Sequence, residues 1–198
     1  MKRTLKRIVH IVATLVVSPV IASYYLQTLL LGKNRPLEGC SQFLSLFPGI
    51  SGNFLRAAFY RAVLQNCHRT ADIGFGTIFS QAGAMIAENV YIGPRCTLGL
   101  VNIERDVLIA SGVQIPSGGQ THYFDDPNVP IKDQGGERNL VTIGEGAWIG
   151  SGAIVLADVG KGSIIAAGAV VTKPIPDNAI AAGVPAKVLR GRFDAVTP

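Results

Sequence analysis

The chain has 198 residues, 48% of them hydrophobic, and a formal net charge of +5, so it is long enough for one domain with a real core plus a short attachment. Its three cysteines, Cys40, Cys67 and Cys96, have no metal-ligand spacing and no even pairing, which argues against a disulfide framework and favours a reduced, cytosolic compartment. Six of the 18 basic residues and none of the 13 acidic ones lie in residues 1–35, so the remainder is nearly neutral and offers no basic surface for nucleic acid.

Residues 1–35 are predicted to form a basic, hydrophobic membrane anchor. Basic residues flank an uncharged apolar run from Ile8 to Leu31, about 24 residues, which is long enough to cross a bilayer. A signal peptide fits less well, because the run is long for one and the cleavage signal is poor. Pro19 divides the run, so a helix bent there could enter and leave one leaflet with both basic ends at anionic headgroups. We favour this monotopic or re-entrant anchor, at the cytoplasmic face of the inner or plasma membrane, over a true span or a packed soluble helix.

A linker and an amphipathic capping helix are predicted over residues 36–71. The segment from Phe43 to Phe47 forms a second apolar patch that could also touch lipid. Residues 53–67 place their apolar side chains on one helical face, with Ser51 or Asn53 as the N-cap. We expect this helix to cover the first open turn of the domain that follows, and His68 to be a surface residue.

An aliphatic residue returns every six residues along most of the stretch from Ile73 to Thr172, commonly followed by a small residue. Neither helical periodicity nor strand alternation fits this spacing. A six-residue period is typical of β-helices, in which each turn buries its aliphatic residue against its neighbours. The pattern therefore predicts an all-β solenoid over residues 72–190, preceded by N-terminal helices and followed by a tail over residues 191–198. The alternative is coincidental spacing in a β-sandwich.

One long loop, predicted over residues 116–141, interrupts the repeat. A loop of this size in a compact solenoid is usually functional. It carries His122, and an imidazole can take a proton from a hydroxyl or an amine at neutral pH. A loop histidine by itself is more often a bystander than a base. Asp125, Asp126 and Glu137 could bind an acceptor, orient His122 or keep the loop soluble, and the sequence does not rank these roles.

From about residue 72 to 190 the chain resembles the hexapeptide-repeat acyltransferases, the left-handed β-helix family that includes galactoside, maltose, serine and xenobiotic acetyltransferases. The motifs that carry the resemblance are Thr121-His122, VTIGEGAWIG at 141–150, AGAVVTKPIP at 167–176 and AGVPAKVLR at 182–190. The resemblance implies a left-handed parallel β-helix, a homotrimer with active sites between the prisms, and acetyl-CoA or another acyl-CoA as co-substrate. It implies no permanently bound cofactor and no metal. The N-terminal third more loosely resembles membrane-associated members linked to polysaccharide modification.

The resemblance also implies roles for single residues. His122 would be the general base, and the side chains or backbone expected to hold the acyl-CoA belong to Trp148, Ser151, Ala167, Thr172, Lys173, Lys187 and Arg190. Structural alternatives stand beside these roles, since Trp148 could be an interface aromatic, Ser151 and Thr172 ordinary corners, and Lys173 a solvated end. The family often has arginine where this chain has Lys187. The first block departs from the sugar acetyltransferases at residues 92–96, so their acceptors cannot be carried over.

We therefore predict a membrane-associated, CoA-dependent O-acyltransferase that acetylates a sugar hydroxyl of a saccharide or lipid-linked sugar in cell-surface or exopolysaccharide biosynthesis. Deprotonation, proximity and oxyanion stabilisation suffice for this reaction without a metal. Two alternatives stay open: N-acetylation of an amino sugar, and a non-catalytic β-helix scaffold. A metal hydratase on the same fold would need several converging histidines, and His10 and His68 lie outside the repeat.

Overall fold

A computed structural model describes residues 2–194 of the chain, with the side chains of residues 7–194. Three helices come first: α1 (Lys2–Leu31), α2 (Asn34–Ser45) and α3 (Gly49–Val63). The strands that follow wind a left-handed parallel β-helix of about six turns, as predicted. The last four residues of the predicted tail, 195–198, lie outside the described residues.

Three sheets, here called A, B and C, form the faces of the solenoid, and all of their strands are parallel except the last, which pairs antiparallel with the strand before it. Sheet A contains β1, β4, β7 and β10, sheet B contains β2, β5, β8, β11, β13, β15 and β16, and sheet C contains β3, β6, β9, β12 and β14. The strands are β1 (Asn66–Cys67), β2 (Asp72–Ile73), β3 (Ile78–Phe79), β4 (Met85–Ile86), β5 (Tyr91–Ile92), β6 (Thr97–Leu98), β7 (Val101–Ile103), β8 (Leu108–Ile109), β9 (Gln114–Ile115), β10 (Val141–Ile143), β11 (Trp148–Ile149), β12 (Ile154–Val155), β13 (Ile164–Ile165), β14 (Val170–Val171), β15 (Ala179–Gly183) and β16 (Ala186–Gly191). Bridges through Val159 and Ile175 continue sheet A.

The six-residue period produces columns of buried aliphatic side chains. In sheet B the register joins Ile73, Ile92, Ile109, Ile149 and Ile165 in successive turns, and all five are fully buried. Branched side chains pack well in this regular stack because each faces its counterpart in the turn above and below. The repeated aliphatic position is therefore the core of the solenoid.

Glycine after the aliphatic residue lets neighbouring turns approach closely. A Cβ added to Gly74 would lie 2.6 Å from the carbonyl carbon of Gly93, closer than a side chain can be accommodated against backbone. The corner therefore requires the smallest residue for a steric reason, in addition to any conformational one.

Helix α3 packs against the first strands of the solenoid, and its bounds differ from the predicted ones. It begins at Gly49 after Pro48 and makes no side-chain N-cap, while the Asn53 amide donates to Asp72 Oδ1 at 2.7 Å. It ends at Val63 rather than at Cys67, because Asn66 and Cys67 form β1 against Met85 and Ile86 of β4. Backbone pairing in sheet A has overridden the helical pattern there.

Helix α1 is continuous through Pro19, where the sequence analysis expects a bend between two half-helices. A proline cannot donate to the carbonyl four residues earlier. Here the Ser18 hydroxyl donates to that carbonyl, Leu15 O, at 2.8 Å. The acceptor that Pro19 leaves without its usual donor is therefore satisfied within the same turn.

Within residues 7–31 of α1, one stripe packs on the rest of the protein and most other side chains are exposed. Ala13, Val17 and Tyr24 are buried, and the Tyr25 hydroxyl donates to Ala62 O of α3 at 2.5 Å. The stretch Arg7–Leu31 is long and apolar enough to cross a membrane, and only 17% of its most apolar window is buried. Among residues 7–31, the large exposed hydrophobic side chains are Ile8, Ile11, Val12, Leu15, Val16, Tyr25, Leu26, Leu29, Leu30 and Leu31.

Candidate functional site

The predicted site residues gather mainly along the two edges of sheet C. Ser151 and Ala167 lie at the corner between sheets B and C in adjacent turns, where Gly168 N donates to Ser151 O at 2.9 Å. Ser111 occupies the same corner one turn earlier, and its hydroxyl lies 3.4 Å from that of Ser151. The B–C corner therefore presents an exposed column of two hydroxyls followed by an alanine.

Ala167 ends this column with free backbone groups. Its N–H and its carbonyl have no hydrogen-bond partner among residues 2–194, and the residue is exposed. The carbonyls of Ser111 and Ser151 accept hydrogen bonds from the next turn of the solenoid. The chain leaves this corner after Gly183, so no backbone donor of a following turn reaches the Ala167 carbonyl. Unpaired backbone groups at an accessible corner are available to a ligand that carries amides.

The opposite edge of sheet C, the C–A corner, carries the long loop and the predicted phosphate-binding residues. The loop leaves this corner after β9 and returns at β10, over residues 116–140. Thr172 and Lys173 lie at the same corner two turns further along, connected through the bonds Leu156 N to Val171 O (2.8 Å) and Ile175 N to Asp158 O (2.9 Å). With adjacent strands about 4.8 Å apart, two turns separate them by roughly 10 Å.

Hydrogen bonds within the loop hold the segment around His122 in place. Tyr123 N donates to Gly135 O at 3.1 Å, and Glu137 N donates to Gln120 O at 2.8 Å, so the outgoing and returning segments are paired. At the tip, the Gln134 amide donates to Val129 O at 2.7 Å and to Asp126 O at 2.9 Å. These hydrogen bonds therefore hold the loop, and His122 with it, in one arrangement.

His122 itself is exposed, and its imidazole makes no hydrogen bond to any residue that the structure describes. Of the three nearby acids, Glu137 accepts a 2.8 Å hydrogen bond from the Tyr123 hydroxyl, and Asp126 accepts one from Asn128 N at 2.9 Å. The bond to Glu137 raises the pKa of Tyr123. Glu137 and Asp126 thus shape the loop, and the imidazole is open to an incoming group.

Trp148 projects from the outer face of sheet B. It lies in β11, the strand that leads into the corner at Ser151. It is 49% exposed and is flanked in register by Leu108 and Ile164. Tyr91 and Leu108, 44% and 43% exposed, continue the same outward column. Trp148 therefore belongs to an apolar strip on sheet B rather than to the two edges of sheet C.

The C-terminal hairpin separates the two remaining cations. Lys187 pairs with Ala182, one residue before Gly183 at the B–C corner, whereas Arg190 pairs with Ile180 nearer the far end of the strand. Arg190 Nη1 donates to Gly191 O at 3.0 Å and approaches two more carbonyls of the C-terminal turn. Lys173 and Lys187 are exposed and have no ion pair or hydrogen bond within residues 2–194.

Two residues of this region were missed by the sequence analysis. Gln114 is exposed and faces outward from sheet C immediately before the loop, and Ser111 lies beside Ser151. Aligning the turn Ala110-Ser111-Gly112 with Gly150-Ser151-Gly152 would have found the serine. Gln114 is the outward residue that precedes the buried Ile115, so the alternation of each two-residue strand predicts its direction.

The cysteines do not contribute a nucleophile to this region. A reactive thiol must ionise readily, and all three thiols are free, with Cys67 and Cys96 buried. Burial raises the pKa of Cys67 to about 12, and Cys96 donates to Ala110 O at 3.2 Å. Within residues 2–194, no group of three or more His, Cys, Asp or Glu side chains is placed to hold a metal ion.

Comparison with known proteins matches this architecture. A family model described as bacterial transferase hexapeptide (six repeats) matches residues 141–173. The Escherichia coli (strain K12) protein named "Putative lipopolysaccharide biosynthesis O-acetyl transferase WbbJ" is 33% identical over 129 residues, 62% of this chain and 64% of that protein. The chain thus spans a little less than two thirds of the length of this relative.

Two solved structures are similar to this chain over most of its length. A galactoside acetyltransferase in complex with coenzyme A has a TM-score of 0.70 and 27% identity, covering 82% of each chain. A maltose O-acetyltransferase from Clostridium difficile 630 has a TM-score of 0.71 and 25% identity, covering 82% of this chain and 88% of that one. With the six-residue register and the matched repeats, the repeat region is similar to the bacterial hexapeptide-repeat transferases.

Proposed function

We propose that the protein is a CoA-dependent O-acetyltransferase that transfers the acetyl group of acetyl-CoA to a sugar hydroxyl during cell-surface polysaccharide assembly. The observation that carries the proposal is the open imidazole of His122 on a braced loop at the same solenoid corner as Thr172 and Lys173. The relatives named as sugar or lipopolysaccharide O-acetyltransferases support the choice of acceptor. The acceptor would be a saccharide or a lipid-linked sugar.

In this reaction His122 acts as the general base. It removes the proton of the acceptor hydroxyl as the oxygen attacks the thioester carbonyl, and an exposed, unbonded imidazole is suited to that transfer. The tetrahedral oxyanion that forms needs a hydrogen-bond donor, and Ser151 at the B–C corner is the candidate hydroxyl. Collapse of the intermediate breaks the C–S bond, and the imidazolium returns its proton to the departing CoA thiolate.

Acyl-CoA would lie along the end of the solenoid, between the two edges of sheet C. The free N–H and carbonyl of Ala167 pair with the amides of the pantetheine arm. Thr172, Lys173 and Lys187 meet the phosphates of the nucleotide, the lysines as mobile point charges. Arg190 makes the smaller contribution, because its guanidinium already donates to carbonyls of the C-terminal turn.

The outward strip of sheet B supports assembly as a homotrimer. Tyr91, Leu108 and Trp148 expose large apolar surface in one continuous column, and such surface on a regular sheet is stabilised when a second copy covers it. In the trimer each cleft receives the loop of one protomer, so Trp148 contributes to the interface beside the acyl-CoA.

The packing of α1 supports attachment to the surface of a membrane rather than a span. Helix α1 lies against α3, and α3 caps the first turn through the buried Arg56. Drawing α1 across a bilayer would pull this cap and its buried cation toward hydrocarbon, at high cost. The exposed apolar side of α1 instead meets lipid together with Phe43, Leu46, Phe47 and Ile50.

In this proposal the chain consists of a membrane anchor over residues 1–35, a cap over 36–71, the acyltransferase domain over 72–190 and a tail over 191–198. Attachment at the cytoplasmic face gives the domain access to acyl-CoA and to a lipid-linked sugar at the same surface. The loop at the C–A corner then approaches the acceptor from the solvent side.

Calorimetric titration with acetyl-CoA tests the donor half of the proposal. We expect saturable binding by the wild-type protein and its loss in Lys173→Ala/Lys187→Ala, with Lys132→Ala/Lys161→Ala as a control of equal charge. A folded protein that binds no acetyl-CoA would support the scaffold alternative instead. Mild alkali should release acetate from the acetylated product, and an alkali-stable product would indicate transfer to nitrogen.

A further inference from the structure

A cavity of about 720 Å³ lies between α1, α3 and the first two turns of the solenoid, away from the acyl-transfer site. Its lining from the solenoid comes from residues 69–72 and Asn89, at the corner between sheets A and B. The His122 loop begins a turn later at the C–A corner, and none of its residues lines this cavity. The cavity therefore needs an explanation of its own.

Two arginines from different elements meet at this cavity. Arg7 comes from α1 and Arg69 from the solenoid corner, both are exposed, and neither forms an ion pair or a hydrogen bond within residues 2–194. The one carboxylate in the lining, Asp72, accepts a 2.7 Å hydrogen bond from the Asn53 amide and is not paired with either arginine. The cavity thus presents excess positive charge, which favours an anionic ligand.

The polar floor beside Arg69 is held in a fixed arrangement. The Thr70 hydroxyl accepts from Asn89 N at 2.7 Å and contacts His68 Nδ1 at 2.8 Å. The Asn89 side chain in turn donates to Asp106 Oδ1 at 3.2 Å. Because these groups are already paired, the available strong donors of the cavity are the two guanidinium groups, whose planar forks match phosphate oxygens.

The opposite wall is apolar and joins the surface that we assign to the membrane. Ile50, Phe54 and Ala57 of α3 line it, and Ile50 is 77% exposed. On the neighbouring turns of α1, Ile8 and Ile11 are also more than half exposed. A ligand that filled the cavity would have a negative head between the arginines and a hydrocarbon part beside Ile50.

We propose that this cavity binds the phosphate of an anionic membrane lipid, with Arg7 and Arg69 as its ligands and the acyl chain beside Ile50 and Phe54. Bound lipid then joins the N-terminal half of α1 to the first turns of the solenoid and fixes the orientation of the domain on the membrane. The inference rests on the proposed membrane attachment, and it adds a specific lipid site to a general apolar surface.

Titration of the full-length protein with dihexanoyl phosphatidic acid below its micelle concentration tests the site directly. We expect one saturable site, with affinity reduced roughly thirtyfold in Arg7→Gln/Arg69→Gln, the change expected from about 1 kcal/mol for each basic residue. Arg61→Gln/Arg95→Gln removes two exposed charges outside the cavity and should retain the affinity of the wild type. Equal losses in both double variants, or no saturable binding by the wild type, would overturn the proposal.

Inorganic phosphate separates a lipid from a soluble phosphate. We expect it to bind much more weakly than the short-chain lipid, and Ile50→Ser to weaken only the lipid. Equal affinity for both ligands, unaffected by Ile50→Ser, would assign the cavity to a soluble phosphate and overturn the lipid proposal. Sedimentation with neutral phosphatidylcholine vesicles measures the general membrane attachment separately, so its failure is distinguishable from failure of the lipid site.

Discussion

Arg56 Nε donates a 2.9 Å hydrogen bond to Ile73 O, joining the capping helix to the first strand of sheet B inside the protein. The side chain is fully buried and also donates to Phe47 O at 2.7 Å and to Asn53 Oδ1 at 2.6 Å. Burial lowers the pKa of this guanidinium. One cation therefore ties together α3, the turn after α2 and the solenoid by satisfying carbonyls that would otherwise lack donors.

Replacing this cation should destabilise the whole cap. Arg56→Met removes the donors to the buried carbonyl of Ile73 and the partly buried carbonyl of Phe47, and the unpaired Ile73 carbonyl alone should lower the free energy of unfolding by about 1–3 kcal/mol. Denaturant unfolding of Arg56→Met measures the loss. Arg61→Met, at an exposed position of the same helix, should change stability by less than about 0.5 kcal/mol. Similar losses in the two variants would show that the buried bonds contribute little.

The contrast between Arg56 and Ile73 shows how much of this fold the sequence could predict. The position of Ile73 follows from a local period, because each turn repeats the environment of the previous one. The helical pattern of residues 53–67 places only apolar side chains on the buried face, yet Arg56 is also buried, since its acceptors come from Phe47 and from Ile73 across the helix–solenoid junction. Local periodicity cannot report acceptors that only tertiary packing supplies.

Part of the candidate site could likewise be predicted from the sequence, and part could not. The positions of the loop and of Lys173 at the C–A corner can be predicted by counting six-residue repeats. The role of His122 was predicted from the resemblance of the motifs to those of known acyltransferases. Trp148 was grouped with the donor residues by its position in a motif, but its strand directs it outward on sheet B. The carbonyls that occupy Arg190 belong to a turn whose geometry no repeat specifies.

Removing the imidazole of His122 should abolish most of the acetyl transfer without affecting the donor. A positioned base contributes about 10² to 10⁴ in rate, so His122→Ala should lower kcat by that factor while acetyl-CoA affinity is retained. Steady-state kinetics and calorimetry measure the two effects. His68→Ala, which removes an imidazole bonded to Thr70 outside the loop, should retain kcat. Full activity in His122→Ala would show that this residue is not the base.

The catalytic rate should be sensitive to a single methyl group added to the loop that carries His122. A Cβ on Gly136 would lie 2.1 Å from Thr121 O and 2.8 Å from His122 N, so Gly136→Ala must displace the backbone of the proposed base. A displacement of about 1 Å can cost up to a hundredfold in rate, whereas an exposed loop contributes little to Tm. Gly119→Ala adds a methyl group where the nearest atom is 4.0 Å away and should retain kcat. Unchanged kcat in Gly136→Ala would mean that the position of the loop does not limit the reaction.

The exposed side of α1 should determine membrane attachment. Leu26 and Leu30 are 69% and 88% exposed, and burying each in lipid contributes about 1.5 kcal/mol or more, so Leu26→Ser/Leu30→Ser should weaken vesicle binding at least a hundredfold. Cosedimentation with phospholipid vesicles measures the change. Val184→Ser/Leu189→Ser alters side chains 73% and 66% exposed at the far end of the solenoid and should retain binding. If only the second pair reduced binding, the membrane-facing surface would have to be moved to the C-terminal hairpin.

The backbone of Ala167 offers a test of donor binding that leaves every side-chain role intact. Gly168 has a φ of +69°, which fits the third residue of a type II turn and leaves Ala167 at the second, where proline is favoured. Ala167→Pro therefore removes an N–H that has no partner within the described chain, at no expected cost in Tm. If that N–H binds the pantetheine arm, acetyl-CoA affinity should fall about tenfold, the loss of one hydrogen bond, while Ala167→Ser retains it. Equal affinity in both variants would mean that the pantetheine does not use this corner, and the donor would then have to lie along another face of the solenoid.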